Sequence, residues 1–431
     1  MSDQTKIVLE NALKIALTIE QATARGQALS GIAETWLSAG EKVRGLETIV
    51  DALKLADLLK HPDEKAKQLA WLGRLLNEAS ETAKATEQFK RAYYLARASE
   101  SVSQKVSAFY YLASEYVDSG LPTESKKILI ELEPLVIDPA SEVDSVCELI
   151  NIAEIYADMD DPEGAAVLLN RAAQAARILK DPWFKSERLI EVAEIYNGAG
   201  NRNEAAGLIQ EALGDMEKIE ESSRSYFWLK LASVYVDMEM KTQAAECLLK
   251  AREAILKSED LNAAAGDVLE LAEGYLNLGD RSAALNLMEK SQTIIGDLTG
   301  EQDRISRFLE SAGLYSKLGE YSKALELAEK VYQLSMTVAD NKAKLYILGK
   351  LAILYVNFKK SERVATLTDE ICAIVAEAKT KTSGLGAIAE DLVAAGDFAL
   401  ALKLAEIIRE PEVKSSVLIA IAKKQIENQS R

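Results

Sequence analysis

The chain has 431 residues, of which 48% are hydrophobic and only seven are proline, so it can bury a large core and is not disordered. Its formal net charge of -17 argues against a grip on nucleic acid or on an anionic membrane, because both need clustered Lys and Arg. A basic or apolar partner is electrostatically easier to hold, although an acidic balance also serves simply as a solubility device. Cys147, Cys247 and Cys372 lie far apart, which is typical of reduced thiols in a cytoplasmic protein.

The first element along the chain is a helix predicted over residues 5–24. The surrounding segment, "MSDQTKIVLENALKIALTIE", has no basic start and no unbroken apolar run, so it is not expected to be a signal peptide. No stretch of the chain reaches the roughly 18 consecutive apolar residues of a membrane span, so no transmembrane helix is expected.

From about residue 27 onward the sequence repeats with a period of 40 residues. Compare "LINIAEIYADMDDPEGAAVLL" from Leu149 with "LIEVAEIYNGAGNRNEAAGLI" from Leu189. A small residue marks the same position in ten copies: Ala33, Gly73, Ala113, Ala153, Ala193, Ala232, Ala272, Ala312, Ala352 and Ala389. The steps are 40 residues except for one of 39 and one of 37, and such regular self-similarity indicates a repeat protein.

Each copy predicts a pair of helices. Counting from the small residue, large apolar residues lie at -4 and -1 and a tyrosine lies at +3 in seven copies, a spacing that puts them on one helix face. Glycine at +7 in six copies tolerates a left-handed helix end. Alanine at +12 in seven copies then allows a second helix to approach closely. No proline interrupts the core of a first helix.

This combination of anchors resembles the tetratricopeptide repeat (TPR) and covers nearly the whole chain, from about residue 27 to 428. The resemblance implies an all-α fold, a right-handed α-solenoid superhelix of about ten antiparallel helix pairs. The unit departs from the usual length of about 34 residues. It is closer to the extended repeats of kinesin light chains or to the superhelix of maltose-type transcription activators. We expect an N-terminal capping helix in residues 1–26 that has no partner helix, ten repeats over 27–410 and a C-terminal capping helix over 411–431.

No catalytic, metal or cofactor site is predicted. The single histidine, His61, lies in a turn and excludes histidine clusters and a conventional Ser-His-Asp arrangement. The stretch Asp158–Gly164 lacks the glycine and glutamate positions of a calcium loop. Gly198-Ala199-Gly200 looks like a phosphate loop, but no strand precedes it and its second glycine recurs in other repeats. It is interpreted as a corner between helices.

The resemblance implies that the first helix of each repeat lines a concave face. At about 100° per residue, offsets -3, +1 and +4 lie away from the packing face. These offsets give the candidate peptide-binding residues Tyr110, Val117, Ile150, Glu154, Ile190, Glu194, Leu229, Val236, Leu269, Glu273, Leu276 and Leu309. Two interpretations stay open: an apolar groove studded with carboxylates, or a tightly wound array that buries offset -3 between adjacent first helices.

Two functions from different classes follow. The first is a non-catalytic scaffold that holds a peptide or amphipathic helix in a concave groove, and the acidic net charge favours a basic one. Neither nucleic acid nor a membrane is expected as a partner, and the oligomeric state is not assigned. The second is a sensor that closes on a small molecule or signal peptide. An enzyme is the least favoured class. Some TPR domains hold acidic C-terminal tails in a carboxylate clamp, but only Lys67, Arg74 and Asn77 suggest one here.

Overall fold

A computed structural model of the protein describes residues 1–136, 142–257, 260–378, 382 and 384–430. Within these ranges the chain forms 22 α-helices, two short 3-10 turns and no strand. The helices are α1 (Asp3–Ala16), α2 (Ala22–Ser38), α3 (Lys42–Ala56), α4 (Pro62–Glu78), α5 (Thr82–Arg97), α6 (Val102–Asp118), α7 (Pro122–Val136), α8 (Glu142–Asp158), α9 (Pro162–Ile178), α10 (Pro182–Gly198), α11 (Arg202–Gly214), α12 (Arg224–Asp237), α13 (Lys241–Ile255), α14 (Leu261–Leu278), α15 (Arg281–Asp297), α16 (Glu301–Lys317), α17 (Tyr321–Ser335), α18 (Asn341–Asn357), α19 (Ser361–Ala378), α20 (Gly384–Ala394), α21 (Phe398–Ile407) and α22 (Pro411–Ser430). The predicted all-α, TPR-like α-solenoid class is confirmed.

The corner within each pair is set by one left-handed residue. The residue at +7 has a positive φ in all ten copies; six are glycine and four are not, namely Ser80, Asp160, Glu239 and Lys359. At Gly200 φ is 81°, and the next amide, Asn201 N–H, donates back to the Tyr196 carbonyl at 2.8 Å. This closes the end of the helix. Gly198-Ala199-Gly200 is therefore the corner between α10 and α11, as its recurrence indicated.

Small residues let the two helices of a pair come together. Ala193 of α10 and Ala205 of α11 are both fully buried, and Tyr196 at +3 is 2% exposed. The Tyr196 hydroxyl donates to the Ala166 carbonyl of the preceding second helix at 3.2 Å, which satisfies its polar end. The pattern read from the sequence is thus the packing face of each first helix.

The chain divides into two compact units, and each is described by itself. Unit 2 comprises residues 137–338 and contains α8 to α17, which are five consecutive helix pairs. Within it, first helices such as α12 and α14 also contact each other directly, as do α14 and α16. That first-helix layer positions the site described below.

Unit 1 comprises residues 1–136 and 339–431, so it holds both ends of the chain. Helix α1 packs along α22 much as the two helices of an ordinary repeat pack together, and α22 also contacts α2 and α20. The Thr5 hydroxyl donates to Gln425 Oε1 at 2.9 Å, and the Ser415 hydroxyl donates to the Ala12 carbonyl at 3.4 Å. The two ends together make a further helix pair.

The expectation of an unpaired helix over residues 5–24 is therefore wrong: α1 ends at Ala16, and α22 is its partner. The register explains the pairing, because the buried residues of α1 precede those of α3 by 40 positions throughout; they are Thr5, Val8, Leu9, Ala12 and Ala16 against Gly45, Thr48, Ile49, Ala52 and Ala56. Helix α1 thus has the sequence of a second helix, and α22 supplies the missing first one. That the repeat region spans residues 27–410 remains a proposal.

None of the helices in the described ranges combines the length and apolar character needed to cross a membrane.

Candidate functional site

The apolar residues predicted at offset -3 are mostly interior. Ile190 is fully buried, Ile150 and Leu269 are 7% and 5% exposed, and Leu229 is 9% exposed. They lie in the layer where neighbouring first helices contact each other, so the next repeat covers the residue at offset -3. A buried side chain has no surface to offer a ligand, which favours the packed interpretation for Ile150, Ile190 and Leu269.

The remaining candidates keep some surface. Tyr110, Val117, Val236, Leu276, Leu309 and Glu273 are half-buried, and Glu154 and Glu194 are exposed. The structure therefore separates the predicted set into an interior part and an accessible part.

Three predicted residues, Leu229, Val236 and Glu273, meet in a groove between α12 and α14 in unit 2. The groove has a volume of about 520 Å³, within the usual range of ligand sites. Its full lining is Tyr226, Leu229, Lys230, Ala232, Ser233, Val236, Glu270, Glu273, Gly274 and Asn277. Apolar atoms of α12 form the floor and polar side chains form the rim.

Some of the charged residues that line this groove have ion-pair partners on neighbouring helices. Lys230 Nζ lies 3.7 Å from the Glu191 carboxylate of α10, and Lys317 of α16 forms an ion pair with Glu273. Glu270, in contrast, is exposed and makes no ion pair or hydrogen bond with any residue that the structure describes. It is the groove carboxylate that the protein leaves unsatisfied.

The pKa values of the carboxylates reflect this environment. Burial raises the pKa of Glu270, and the charge of Asp267 raises it further, while Arg307 acts in the opposite direction. Burial likewise raises the pKa of Glu194 on α10, where Glu191 and Asp237 add repulsion and Lys230 opposes it. Negative charge is crowded along this face of α10 and α14, so an added cation would relieve it.

An aromatic cluster borders one end of the groove. The rings of Trp183 and Tyr226 are stacked with centroids 5.9 Å apart and an interplanar angle of 14°. The Tyr226 hydroxyl donates to Glu187 Oε1 at 3.0 Å, and burial together with this bond raises the pKa of Tyr226 to about 12. Tyr226 remains 39% exposed, so it presents ring surface in a fixed orientation. The predicted set was taken from offsets -3, +1 and +4, so it does not include Tyr226, which lies at offset -6 from Ala232.

Two of the three residues suggestive of a carboxylate clamp, Arg74 and Asn77, already have internal partners in unit 1. Arg74 Nη2 donates to Glu34 at 2.6 Å, Arg74 Nε donates to Glu115 at 2.7 Å, and Glu78 is a third partner. Asn77 Nδ2 donates to the Ser119 carbonyl at 3.1 Å. An acidic tail would have to displace these internal acceptors, which argues against a clamp.

Metal chemistry finds no support in the described ranges, where no group of three or more His, Cys, Asp or Glu side chains could hold an ion.

Comparison with known proteins gives a partial family match. The family model described as soluble NSF attachment protein (SNAP) matches residues 158–346, less than half of the chain. A sequence search of curated proteins found no match.

Solved structures with similar folds are distant in sequence. Ton1535 from Thermococcus onnurineus NA1 is 16% identical, with 86% of this chain and 94% of that chain covered and a TM-score of 0.33. A Rap protein complexed with competence and sporulation factor is 16% identical, with 82% and 99% covered and a TM-score of 0.34. A putative kinesin light chain with TPR-like repeats from Podosopora anserina is 22% identical, with 46% and 98% covered and a TM-score of 0.34. These low identities and TM-scores give no information on function.

Proposed function

We propose that the protein is a non-catalytic interaction module that holds a segment of a partner polypeptide in the groove between α12 and α14. The observation that carries the proposal is the groove itself, in which an apolar floor at Leu229 and Val236 is combined with a polar, accessible rim. Apolar pockets with a few polar groups are the usual form of binding sites.

The groove suits a peptide better than a small molecule enclosed by the protein. Tyr226, Ser233 and Glu270 line the groove and are exposed, so the groove is open to solvent. A sensor that closes on a small molecule, the second candidate, calls for a more enclosed cavity. A cytoplasmic setting fits the three cysteines, which are free thiols.

The test is to fill the groove without touching the core. Ser233 is exposed and lines the groove, so Ser233→Trp places a large ring in it. We expect this variant of the full chain to lose the nonapeptides that the unmodified protein retains from a random library. Ser322→Trp is the matched control, because Ser322 is equally exposed on α17, outside the groove lining. Equal retention by the protein and both variants would contradict the proposal.

A further inference from the structure

Building on the proposed function, we infer that the groove between α12 and α14 selects a peptide with a positively charged side chain, arginine or lysine, seated between Glu270 and the ring of Tyr226. The partner is thus a cationic segment whose charged residue is accompanied by apolar neighbours. Charge, aromatic surface and groove shape each support this occupant separately.

The first support is the balance of charge around Glu270. The charged groups that face it are Asp267 and Glu273 on its own helix and Arg307 and Glu310 on α16. Arg307 donates to Glu310 at 2.9 Å, and Lys317 is paired with Glu273. Nearby cations are therefore committed to other carboxylates, and Glu270 keeps an unmatched charge. A peptide cation would supply a charge-assisted hydrogen bond that the protein lacks.

On the opposite side, Lys230 of α12 also lines the groove and would repel a cation if it were free. It is instead directed towards α10, where Glu191 is 3.7 Å away and the charge of Glu194 is also felt. Glu191 also pairs with Arg188, so this side of the groove is balanced within α10 and α12. Lys230 is thereby held by α10, and Glu270 is the lining carboxylate without an ion pair to a described residue.

The second support is the aromatic surface. Glu187, which is 8% exposed, accepts a hydrogen bond from the Tyr226 hydroxyl, and this bond fixes the orientation of the ring. The ring of Trp183 stacks on that of Tyr226. A cation over such a ring gains roughly 0.5–2 kcal/mol in general, with arginine favoured because its planar guanidinium also stacks. A carboxylate and a fixed ring in one groove are the two partners that a guanidinium or ammonium group prefers.

The third support is the floor. Val236 and Ala232 line the groove from α12, and Gly274 lines it from α14. The aliphatic stem of arginine or lysine can lie on this apolar surface while its charge reaches the rim.

The experiment uses five nonapeptide libraries in which the central residue is arginine, lysine, citrulline, glutamate or leucine and the others are random. Citrulline matches arginine in shape but is neutral. Retention on the immobilised full chain is measured for each library. We expect arginine and lysine libraries to be retained about tenfold more than citrulline, and glutamate least.

Variants then locate the preference. Glu270→Gln should abolish the advantage of arginine over citrulline. Glu253→Gln removes the same charge from an exposed position of α13, outside the groove lining, and should leave the advantage intact. Tyr226→Leu should reduce the arginine advantage several-fold, whereas Tyr226→Phe, which keeps the ring, should retain most of it.

The outcomes separate the two proposals. If arginine and citrulline libraries are retained equally and Ser233→Trp removes both, the groove binds peptides without charge selection and this inference is wrong. If no library is retained above the level of Ser233→Trp, the proposed function fails together with the inference. If Glu253→Gln removes the arginine advantage as fully as Glu270→Gln, the preference comes from net charge, and the assignment to Glu270 is overturned.

Discussion

The first helices of the two units contain carboxylates in two different settings. In unit 1, Arg74 lies between Glu34 and Glu115, Lys423 from α22 pairs with Glu34, and the carboxylates have internal partners. In unit 2, Glu194 and Glu270 make no ion pair with a described residue, and the groove next to Glu270 is open. A first helix of this repeat can therefore have its carboxylates paired within the protein or leave them accessible. Which of the two occurs depends on whether a Lys or Arg side chain lies nearby.

The largest expected effect comes from breaking the unit 1 network. Arg74 and Glu115 have side chains that are only 13% and 8% exposed, so Arg74→Met leaves a buried carboxylate without its cation. We expect a loss of about 3–5 kcal/mol in the free energy of unfolding, measured by urea denaturation. Adding Glu115→Gln should recover part of it.

The matched change in unit 2 is Lys317→Met, which breaks an exposed pair with Glu273. Its cost should stay below about 1 kcal/mol. Equal costs for Arg74→Met and Lys317→Met would remove the distinction between the two units.

The second prediction tests whether the pair made from the chain ends is a full member of unit 1. Leu9 of α1 is fully buried and Leu169 of α9 in unit 2, at the same register position, is 1% exposed. Leu9→Ala and Leu169→Ala should therefore each cost about 2–5 kcal/mol. Urea denaturation gives the totals, and hydrogen exchange in α1 and α22 should rise in Leu9→Ala alone. A cost for Leu9→Ala near zero would mean that α1 is only loosely attached.

The smallest effect is a pH dependence of opposite sign for two carboxylates, Glu34 in unit 1 and Glu270 in unit 2. Burial alone would raise the pKa of Glu34, but hydrogen bonds from Lys423 and Arg74 bring it below the ordinary value of 4.5. Its stabilisation is present above 4.5 and is lost as pH falls through the lowered pKa. Burial raises the pKa of Glu270 instead, so its ionisation opposes folding as the pH rises above the ordinary value of 4.5, and the full effect is reached above the raised pKa.

Thermal melting between pH 3.5 and 7.5 checks these signs. Glu34→Gln should lower the melting temperature at pH 7, with a difference that shrinks below pH 4.5. Glu270→Gln should raise it slightly at pH 7, with a difference that also disappears below pH 4.5. Shifts of the same sign for both variants at pH 7 would contradict the comparison.

Much of the fold follows from local sequence. The positions of Ala193, Tyr196, Gly200 and Ala205 within one copy predict a helix, its end and the close packing of the next helix. They do so because helical periodicity and backbone conformation are properties of a few neighbouring residues. Even the register of α1 is present in the sequence, at 40 residues before α3. Its pairing with α22 was missed because that contact joins positions more than 400 residues apart, as between Thr5 and Gln425.

The candidate site depends less on local sequence than the fold does. Sequence spacing predicted Leu229, Val236 and Glu273 on one exposed face of the first helices, and in the structure the three line one groove. It could not distinguish them from Ile190, which has the same offset as Leu229 but is fully buried. Burial there depends on how closely the next first helix approaches, and no pattern within one repeat specifies that distance.

The sequence by itself determined the repeat, its corners and its packing faces, because each depends only on residues within one repeat of about 40 residues. The tertiary structure alone decided that the two chain ends form a pair, that Arg74 is paired with internal carboxylates and that Glu270 and Tyr226 line one groove. The physical reason is that these features depend on gaps and charges contributed by separate helices, whose distances are fixed only when the repeats are packed together.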